Sequence, residues 1–338
     1  MKIAEGSEVA LVAGGAGFIG SHLVDALLGE GARVICLDSY RTGRPENLRH
    51  LEGEPRFDLV EADVIHALPE RIARARPTRI YNLACAASPI HYQADPEHTM
   101  LTNVVGTSNL LRLAEETGAR LLLASTSEVY GDPEVHPQPE PYRGSVSCTG
   151  PRACYDEGKR AAEALAFDFH RLGRADVRVA RLFNTYGPRM RPDDGRVVAN
   201  FVRQALSGED ITIYGDGRQT RSFCYVSDMV DGLVRLMESD VADRPVNLGN
   251  PDEVEVGHLV ERILRLTGSA SAVVHRPLPV DDPRRRKPDI ARAKAVLGWE
   301  PKVELDEGLA ATVAWFSEET ILPMLRMGRG TTRSAVEG

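Results

Sequence analysis

Tyr155 and Lys159 stand four residues apart in the stretch GPRACYDEGKRAAEAL, residues 150–165. The Ala, Glu and Leu that follow favour helix. Four residues is about one helical turn, so the two side chains share a face. A free phenol titrates near ~10 and is a poor base at neutral pH, but neighbouring positive charge favours its phenolate. Lowering it by roughly two or three pH units, at about 1.4 kcal/mol each, brings it into the range useful for general acid–base work. The same spacing also occurs on ordinary surface helices, so the rest of the chain must decide. Upstream, LLLASTSEVYG carries Thr126, Ser127 and Glu128 at the end of an apolar run. Two hydroxyls and a carboxylate there can orient and polarise a reacting alcohol. Turn formation and capping are the plainer reading of Thr126 and Ser127.

Elements that could position these groups follow from the pattern of apolar runs. EVALVAG, RVICLD, FDLVEADV, RIYNLA, RLLLAST and VRVARLF read as strands, separated by helical stretches such as GSHLVDALLGEGA and TNVVGTSNLLRLAEETGA. Apolar strands alternating with helices predict an α/β fold, a Rossmann-type doubly wound parallel sheet. In such a sheet ligands bind beyond the carboxyl ends of the strands, where Thr126, Ser127 and Glu128 would face them. Residues 1–183 are expected to form the dinucleotide-binding domain, joined by a returning segment at about 222–249 that includes PVNLGN. Residues 184–221 and 250–326 then form a smaller α+β substrate lobe, containing Pro277, Pro279, Pro283 and Pro288, and 327–338 a mobile tail.

Between the first strand and first helix runs Gly14-Gly15-Ala16-Gly17-Phe18-Ile19-Gly20. Gly14 and Gly17 permit a tight turn and close backbone approach to a pyrophosphate, and Gly20 lets the helix pack on the sheet. The helix N-terminus then offers free N–H groups to phosphate. Asp38 ends the second strand, where an acid accepts hydrogen bonds from ribose hydroxyls and repels a 2′-phosphate. NAD is therefore expected over NADP, although Arg41 and Arg44 lie close by. Asp63 is placed to meet the adenine edge or, equally, to cap a helix. Ser39, Tyr40, Thr42, Val64 and Ala84 complete the expected cofactor contacts.

The chain has 338 residues, a net charge of −8 and a pI near 5.7. An acidic surface argues against a general nucleic-acid binder. Five cysteines (Cys36, Cys85, Cys148, Cys154 and Cys224) form no C-x-x-C pair, which predicts reduced thiols and no metal site. The glycine-broken N-terminus is no signal peptide. No stretch approaches the roughly 18 apolar residues of a membrane span. A cytoplasmic protein without nucleic-acid or membrane partners is expected. The helical pieces around 97–117 and 155–172 suggest pairing in a homodimer.

The motifs GGAGFIGSHL, ASPIHY, LLLASTSEVYGDPEVHPQ, GPRACYDEGKRAAE, RLFNTYGPRM, DGRVVANFVRQAL, YGDGRQTRSFCYVSD and DDPRRRKPDI carry a resemblance that covers about residues 9–318. Together they resemble the extended short-chain dehydrogenase/reductase family, and within it the UDP-glucuronate decarboxylases. The resemblance implies NAD-dependent oxidation of UDP-glucuronate at carbon 4, loss of carbon dioxide from the resulting β-keto acid, and reduction to UDP-xylose. It implies Tyr155 as base and later acid, and Lys159 as holder of the nicotinamide ribose. Thr126 and Ser127 would contact substrate. Glu128 would assist decarboxylation through water or through the pivoting sugar ring. Arg286 matches the family's active-site arginine, with Arg285 as the neighbouring alternative and a solvated basic face as the plainer reading. On the UDP side the resemblance points to Asn184, Tyr214, Arg221 and Tyr225, while Tyr92 and Asn103 reach the sugar or cofactor.

Departures from the family pattern sit around the active site. Arg143, Ser147, Cys148 and Thr149 replace a tryptophan and an NPIG run, and NLACAASP places Cys85 near the nicotinamide. These bear on the later steps, so UDP-4-keto-xylose is a possible second product. A UDP-glucuronate 4-epimerase and a 4,6-dehydratase are the near rivals, the latter expecting Asp-Glu after the threonine. A catalytically dead NAD-sensing protein is the rival of another class.

Overall fold

A computed structural model describes residues 8–277 and 285–321, with side chains to 318. The proposed tail 327–338, Pro279, Pro283 and the first four residues of DDPRRRKPDI lie outside the described residues. Seven strands form one sheet: β1 (Val9–Ala13), β2 (Arg33–Asp38), β3 (Phe57–Glu61), β4 (Arg79–Asn82), β5 (Arg120–Thr126), β6 (Asp176–Leu182) and β7 (Val246–Leu248). Their order is β7-β6-β5-β4-β1-β2-β3 and every pairing is parallel. The doubly wound expectation therefore holds. The order reverses between β1 and β4, and the crevice outside that switch point is where such sheets bind ligands.

Parallel strands covered on both faces need apolar residues in both pleat directions. Val12, Cys36, Tyr81 and Leu122 face one side, where they meet α1 (Phe18–Gly29) and the later helix Val226–Glu238. Leu11, Ile35, Ile80 and Leu121 face the other, against Leu110 and Leu111 of α2 (Thr107–Thr117) and Ala162 and Ala166 of α3 (Ala153–Arg171). The helices are held by that burial, worth about 1.5–3 kcal/mol per large side chain. A separate core unites α4 (Val197–Ser207), α5 (Val256–Thr267), α6 (Leu305–Trp315) and the strand Ile211–Tyr214, giving the smaller lobe. β7 adds to the edge of the large sheet beside β6, as the returning segment requires.

One boundary differs from expectation. Residues 250–326 do not all belong to the small lobe. Ile290, Ala293 and Trp299 are buried in the large-domain core, and Trp299 Nε1 donates to the Asp228 carbonyl at 3.0 Å. The Asp228 carboxylate accepts Lys302 N–H and Val303 N–H, each at 2.9 Å, which ties the end of this segment to the large domain. No helix among the described residues is long and apolar enough to cross a membrane.

His22 of α1 joins the domains through a 3.0 Å contact with the Pro188 carbonyl. Burial pushes the imidazole down to about 4 from its ordinary 6.5, against the pull of that carbonyl. A folded value below the unfolded one means the neutral ring is the stabilising form. Its contribution is complete above pH ~6.5 and is lost as pH falls towards ~4, by up to ~2 kcal/mol at pH 5. A His22→Gln variant is expected to lose that much less stability between pH 7 and pH 5 than the parent, as read by urea midpoints. Identical losses would show that His22 does not set this dependence.

Candidate active site

A cleft of about 510 Å³ runs along the carboxyl ends of the strands, between the sheet and the small lobe. Its cofactor end is made by the glycine turn. Gly14 has φ +81, and a Cβ there would lie 2.8 Å from the Leu83 carbonyl carbon. A Cβ on Gly20 would lie 2.1 Å from the Gly14 oxygen. The α1 N-cap, Gly17, supplies no side-chain cap, so the first-turn N–H groups face outward, as a helix terminus that holds phosphate must. These residues fit a dinucleotide. A Gly20→Ala substitution is expected to break the turn and weaken NAD binding at least tenfold by titration calorimetry, while the sheet still folds by circular dichroism. Unchanged affinity would exclude the turn from the cofactor site.

Phe18, Ile19 and Thr42 line the same end of the cleft. Asp38 stands behind the turn. Its carboxylate accepts Ala16 N–H at 2.9 Å and Tyr40 N–H at 2.8 Å, so it braces the loop and keeps lone pairs for a ribose. Burial raises it, against the backbone donors of Tyr40, Ala16 and Ser39. Arg41 is paired with Asp95 and Arg44 lies 3.6 Å from Glu46. Ser39, half-buried, and Tyr40, at φ 56, carry the chain away from Asp38, and Ala84 N–H donates to Asn82 Oδ1 at 3.3 Å. No helix starts at Asp63, so it does not act as a cap. It accepts Ile65 N–H at 3.1 Å in a local turn, and His98 Nε2 lies 2.7 Å from its other oxygen. Val64 is buried against Gly106.

The reacting end gathers Thr126, Ser127 and Glu128 from the end of β5 with Tyr155 and Lys159 from α3. Tyr155 is buried and stacks on Tyr92, centroids 5.0 Å apart and planes 4° from parallel. Lys159 Nζ lies 5.9 Å from the Tyr155 ring centroid and donates to the Ala124 carbonyl at 2.8 Å. Burial raises the Tyr155 phenol well above its ordinary value and Cys85 adds to this, while the Thr126 hydroxyl opposes it. Burial lowers Lys159. The protein's own groups thus favour the neutral phenol, and the expected phenolate needs the charge of Lys159 together with that of an oxidised nicotinamide.

Glu128 is gripped from both sides. Arg286 Nη1 donates to Oε1, and Arg152 Nη2 to Oε2 at 2.7 Å. Burial opposes the charge, but the guanidiniums of Arg286 and Arg152 hold the carboxyl below its usual range. Arg286 also donates to the Gly131 carbonyl at 3.2 Å. Arg285 is exposed and lines a different pocket with His136, Arg218 and Glu253. Of the two neighbouring arginines, Arg286 is the one that lines the cleft beside Glu128.

Of the expected substrate contacts, Tyr92, Asn184, Tyr214 and Arg221 line the cleft. Two do not. Asn103 is buried, with Nδ2 donating to the Thr99 carbonyl at 3.0 Å and to Cys85 Sγ at 3.2 Å, so it holds the cleft wall from behind. Tyr225 packs on Tyr186 with centroids 5.5 Å apart, at the root of the small lobe. Arg152 was not anticipated. Its signal lay in helix spacing, since 152, 155, 156 and 159 fall on one stripe of α3. Among the described residues no group of three His, Cys, Asp or Glu could hold a metal ion.

A glycine turn at the sheet's reversal point, with a helical Tyr-Lys pair facing it across the cleft, is the arrangement of a short-chain dehydrogenase/reductase. The chain belongs to the NAD dependent epimerase/dehydratase family, whose model matches residues 10–249. It is 56% identical over 300 residues to UDP-glucuronic acid decarboxylase 3 of Arabidopsis thaliana, covering 88% of this chain and 86% of that one. UDP-glucuronic acid decarboxylase 1 of Xenopus tropicalis is 52% identical over 309 residues, covering 91% and 72%. Among solved structures, UDP-glucose 4-epimerase of Thermotoga maritima matches with a TM-score of 0.84 at 33% identity, covering 92% of this chain and 99% of that one. The dTDP-glucose 4,6-dehydratase DesIV of Streptomyces venezuelae, solved with NAD bound, gives 0.84 at 30% identity, covering 92% and 97%.

Proposed function

We propose that this enzyme is an NAD-dependent UDP-glucuronate decarboxylase. The observation that carries this reading is Glu128 held between Arg286 and Arg152 on the wall that Tyr155 also lines. Paired guanidiniums there suit a sugar bearing a carboxylate. The named relatives at 52–56% identity favour the same reaction.

Bound NAD would supply the hydride acceptor and later donor for carbon 4 and, when oxidised, a positive charge that favours the Tyr155 phenolate. Tyr155 takes the proton of the 4-hydroxyl as that carbon is oxidised, and Thr126 and Ser127 orient the hydroxyl. Lys159 holds the nicotinamide ribose. The substrate carboxylate is then β to a ketone. Its carbon–carbon bond breaks, carbon dioxide leaves, and the electron pair moves into the carbonyl as an enolate. Tyr155 stabilises that oxygen, and Glu128 with Arg286 supports protonation at carbon 5. When carbon 4 is reduced again, Tyr155 returns its proton to the oxygen. Asp38 and the glycine turn hold the adenosine and pyrophosphate, and Asn184, Tyr214 and Arg221 the UDP.

The test incubates protein, UDP-glucuronate labelled in its carboxylate, and NAD. Released labelled carbon dioxide and UDP-xylose by NMR are expected, with UDP-4-keto-xylose alongside if the Arg143 and Ser147–Thr149 wall is loose. UDP-galacturonate without gas would overturn the reading in favour of a 4-epimerase. The proposal includes a cytoplasmic homodimer joined through residues 97–117 and 155–172, where Leu101 is exposed. Sedimentation and cell fractionation test both.

A further inference from the structure

We propose that Asn247 is a positioning residue: its buried amide, with Gln138 beside it, fixes the register that brings Arg286 against Glu128. This rests on the decarboxylase reading and deepens it. Arg286 is carried by residues 285–290, which belong to no helix or strand and make one isolated bridge, Pro288 with Gln138. Successive side chains of an extended segment point to opposite sides, and here Arg285 is exposed and Arg286 buried. A slip of one residue would aim Arg285 or Lys287 at Glu128 instead. Glu128 itself rides on a second short piece, the turn Ser127–Tyr130. One turn and one bridge supply few backbone bonds, so side chains must hold the two pieces at a fixed separation.

Asn247, on the edge strand β7, touches both. Its Oδ1 accepts the Tyr130 hydroxyl at 2.8 Å, at the end of the turn that carries Glu128. Its Nδ2 donates to the Asp289 carbonyl at 3.1 Å and to the Gln138 carbonyl at 2.9 Å. Gln138 then grips the segment itself. Its N–H donates to the Lys287 carbonyl at 2.9 Å, its carbonyl accepts Asp289 N–H at 3.0 Å, and its Oε1 accepts Lys287 N–H at 2.9 Å. The bonded residues flank Arg286 on its C-terminal side. Its own carbonyl accepts the Ser222 hydroxyl at 3.4 Å. Asn247 and Gln138 are both 0% exposed, so no water competes for these bonds. Both Nδ2 protons of Asn247 are used, and a flipped amide would set its oxygen against two carbonyls. Neither amide lines the cleft, so each acts only through the groups it holds.

A group displaced by about 1 Å can cost a catalysed step about a hundredfold. The steps that depend on Glu128 and Arg286 follow the oxidation, which belongs to Tyr155, Lys159 and the cofactor. The test is a single turnover of UDP-glucuronate by the NAD-loaded enzyme, followed by NADH absorbance and by the UDP-xylose formed. Asn247→Ala is expected to form NADH within about twofold of the parental rate and to slow its return to NAD, with UDP-xylose, by about tenfold or more. Gln138→Met keeps the backbone bonds and loses the Oε1 acceptor, so it should slow the same phase to a smaller extent. It carries the comparison where Asn247→Ala does not fold. Formation and decay of NADH reduced in equal proportion would mean that the amide is merely structural. No change in either phase would mean that backbone bonds alone set the register. Both outcomes overturn the proposal. A parent enzyme that releases no carbon dioxide would instead overturn the decarboxylase reading itself.

Discussion

A Tyr155→Phe variant is expected to lose turnover by about a thousandfold, within the range for removing a general acid–base group, while unfolding at nearly the parental temperature. The two effects separate because the ring and the hydroxyl have different duties. The ring is buried and stacked on Tyr92 at 5.0 Å, and phenylalanine keeps that contact. The hydroxyl's charge is opposed by burial and by Cys85, and favoured by Thr126. The protein's own groups therefore favour the neutral phenol, and an oxidised nicotinamide, being positive, would favour the phenolate. Oxidation at carbon 4 comes first, so the variant should show neither NADH formation in a single turnover nor labelled gas. Gas at the parental rate would place the base elsewhere. A fall in thermal midpoint matching the fall in activity would make the hydroxyl structural.

The large sheet was readable from sequence because strands buried on both faces are continuous apolar runs. RVICLD and RLLLAST coincide with β2 and β5, and VRVARLF is displaced by one residue from β6. The glycine turn was readable because two of its positions exclude any Cβ, a constraint that leaves its mark as residue type. The return of Ile290–Trp299 to the large core was hidden, since an aromatic anchor such as Trp299 looks the same whichever core it fills. The parity of Arg285 and Arg286 was hidden too. Adjacent residues in an extended segment point to opposite sides, one exposed and one buried here, and only the register of that segment decides which. Asp63 shows what a position after a strand leaves open, because no helix follows it to cap and His98, 35 residues on, lies against one of its oxygens. Arg152 was hidden because an arginine one turn before a helical pair has the same residue type whether it faces solvent or, as here, a buried carboxylate.

Removing the charge of Glu163 is expected to destabilise the protein by about 3 kcal/mol and to narrow its activity on the alkaline side. Glu163, on α3 one turn beyond Lys159, accepts Arg181 Nε at 2.9 Å and Nη2 at 2.7 Å, and also the Ser125 hydroxyl. Both members of the ion pair are close to nine-tenths buried. Arg181 continues to the Tyr130 hydroxyl at 3.0 Å, which donates to Asn247 Oδ1 of β7 at 2.8 Å. One network thus crosses from the catalytic helix over β5 and β6 to the edge strand. Breaking one partner of a buried pair leaves an uncompensated charge, costing about 3–5 kcal/mol. In Glu163→Gln the retained amide oxygen still accepts one bond, which favours the lower figure. The second effect comes through Lys159. Burial lowers its pKa, and Cys85 and Glu163 are the groups that oppose this. Without the Glu163 charge the ammonium loses its proton at a lower pH, so the high-pH limb of the kcat profile should move towards neutrality. Urea unfolding and a pH profile measure the two effects independently. An unchanged midpoint would mean that Arg181 finds full compensation in Tyr130 and the Glu140 carbonyl. An unmoved limb would mean that Lys159 draws its charge from the bound cofactor's surroundings and not from this network.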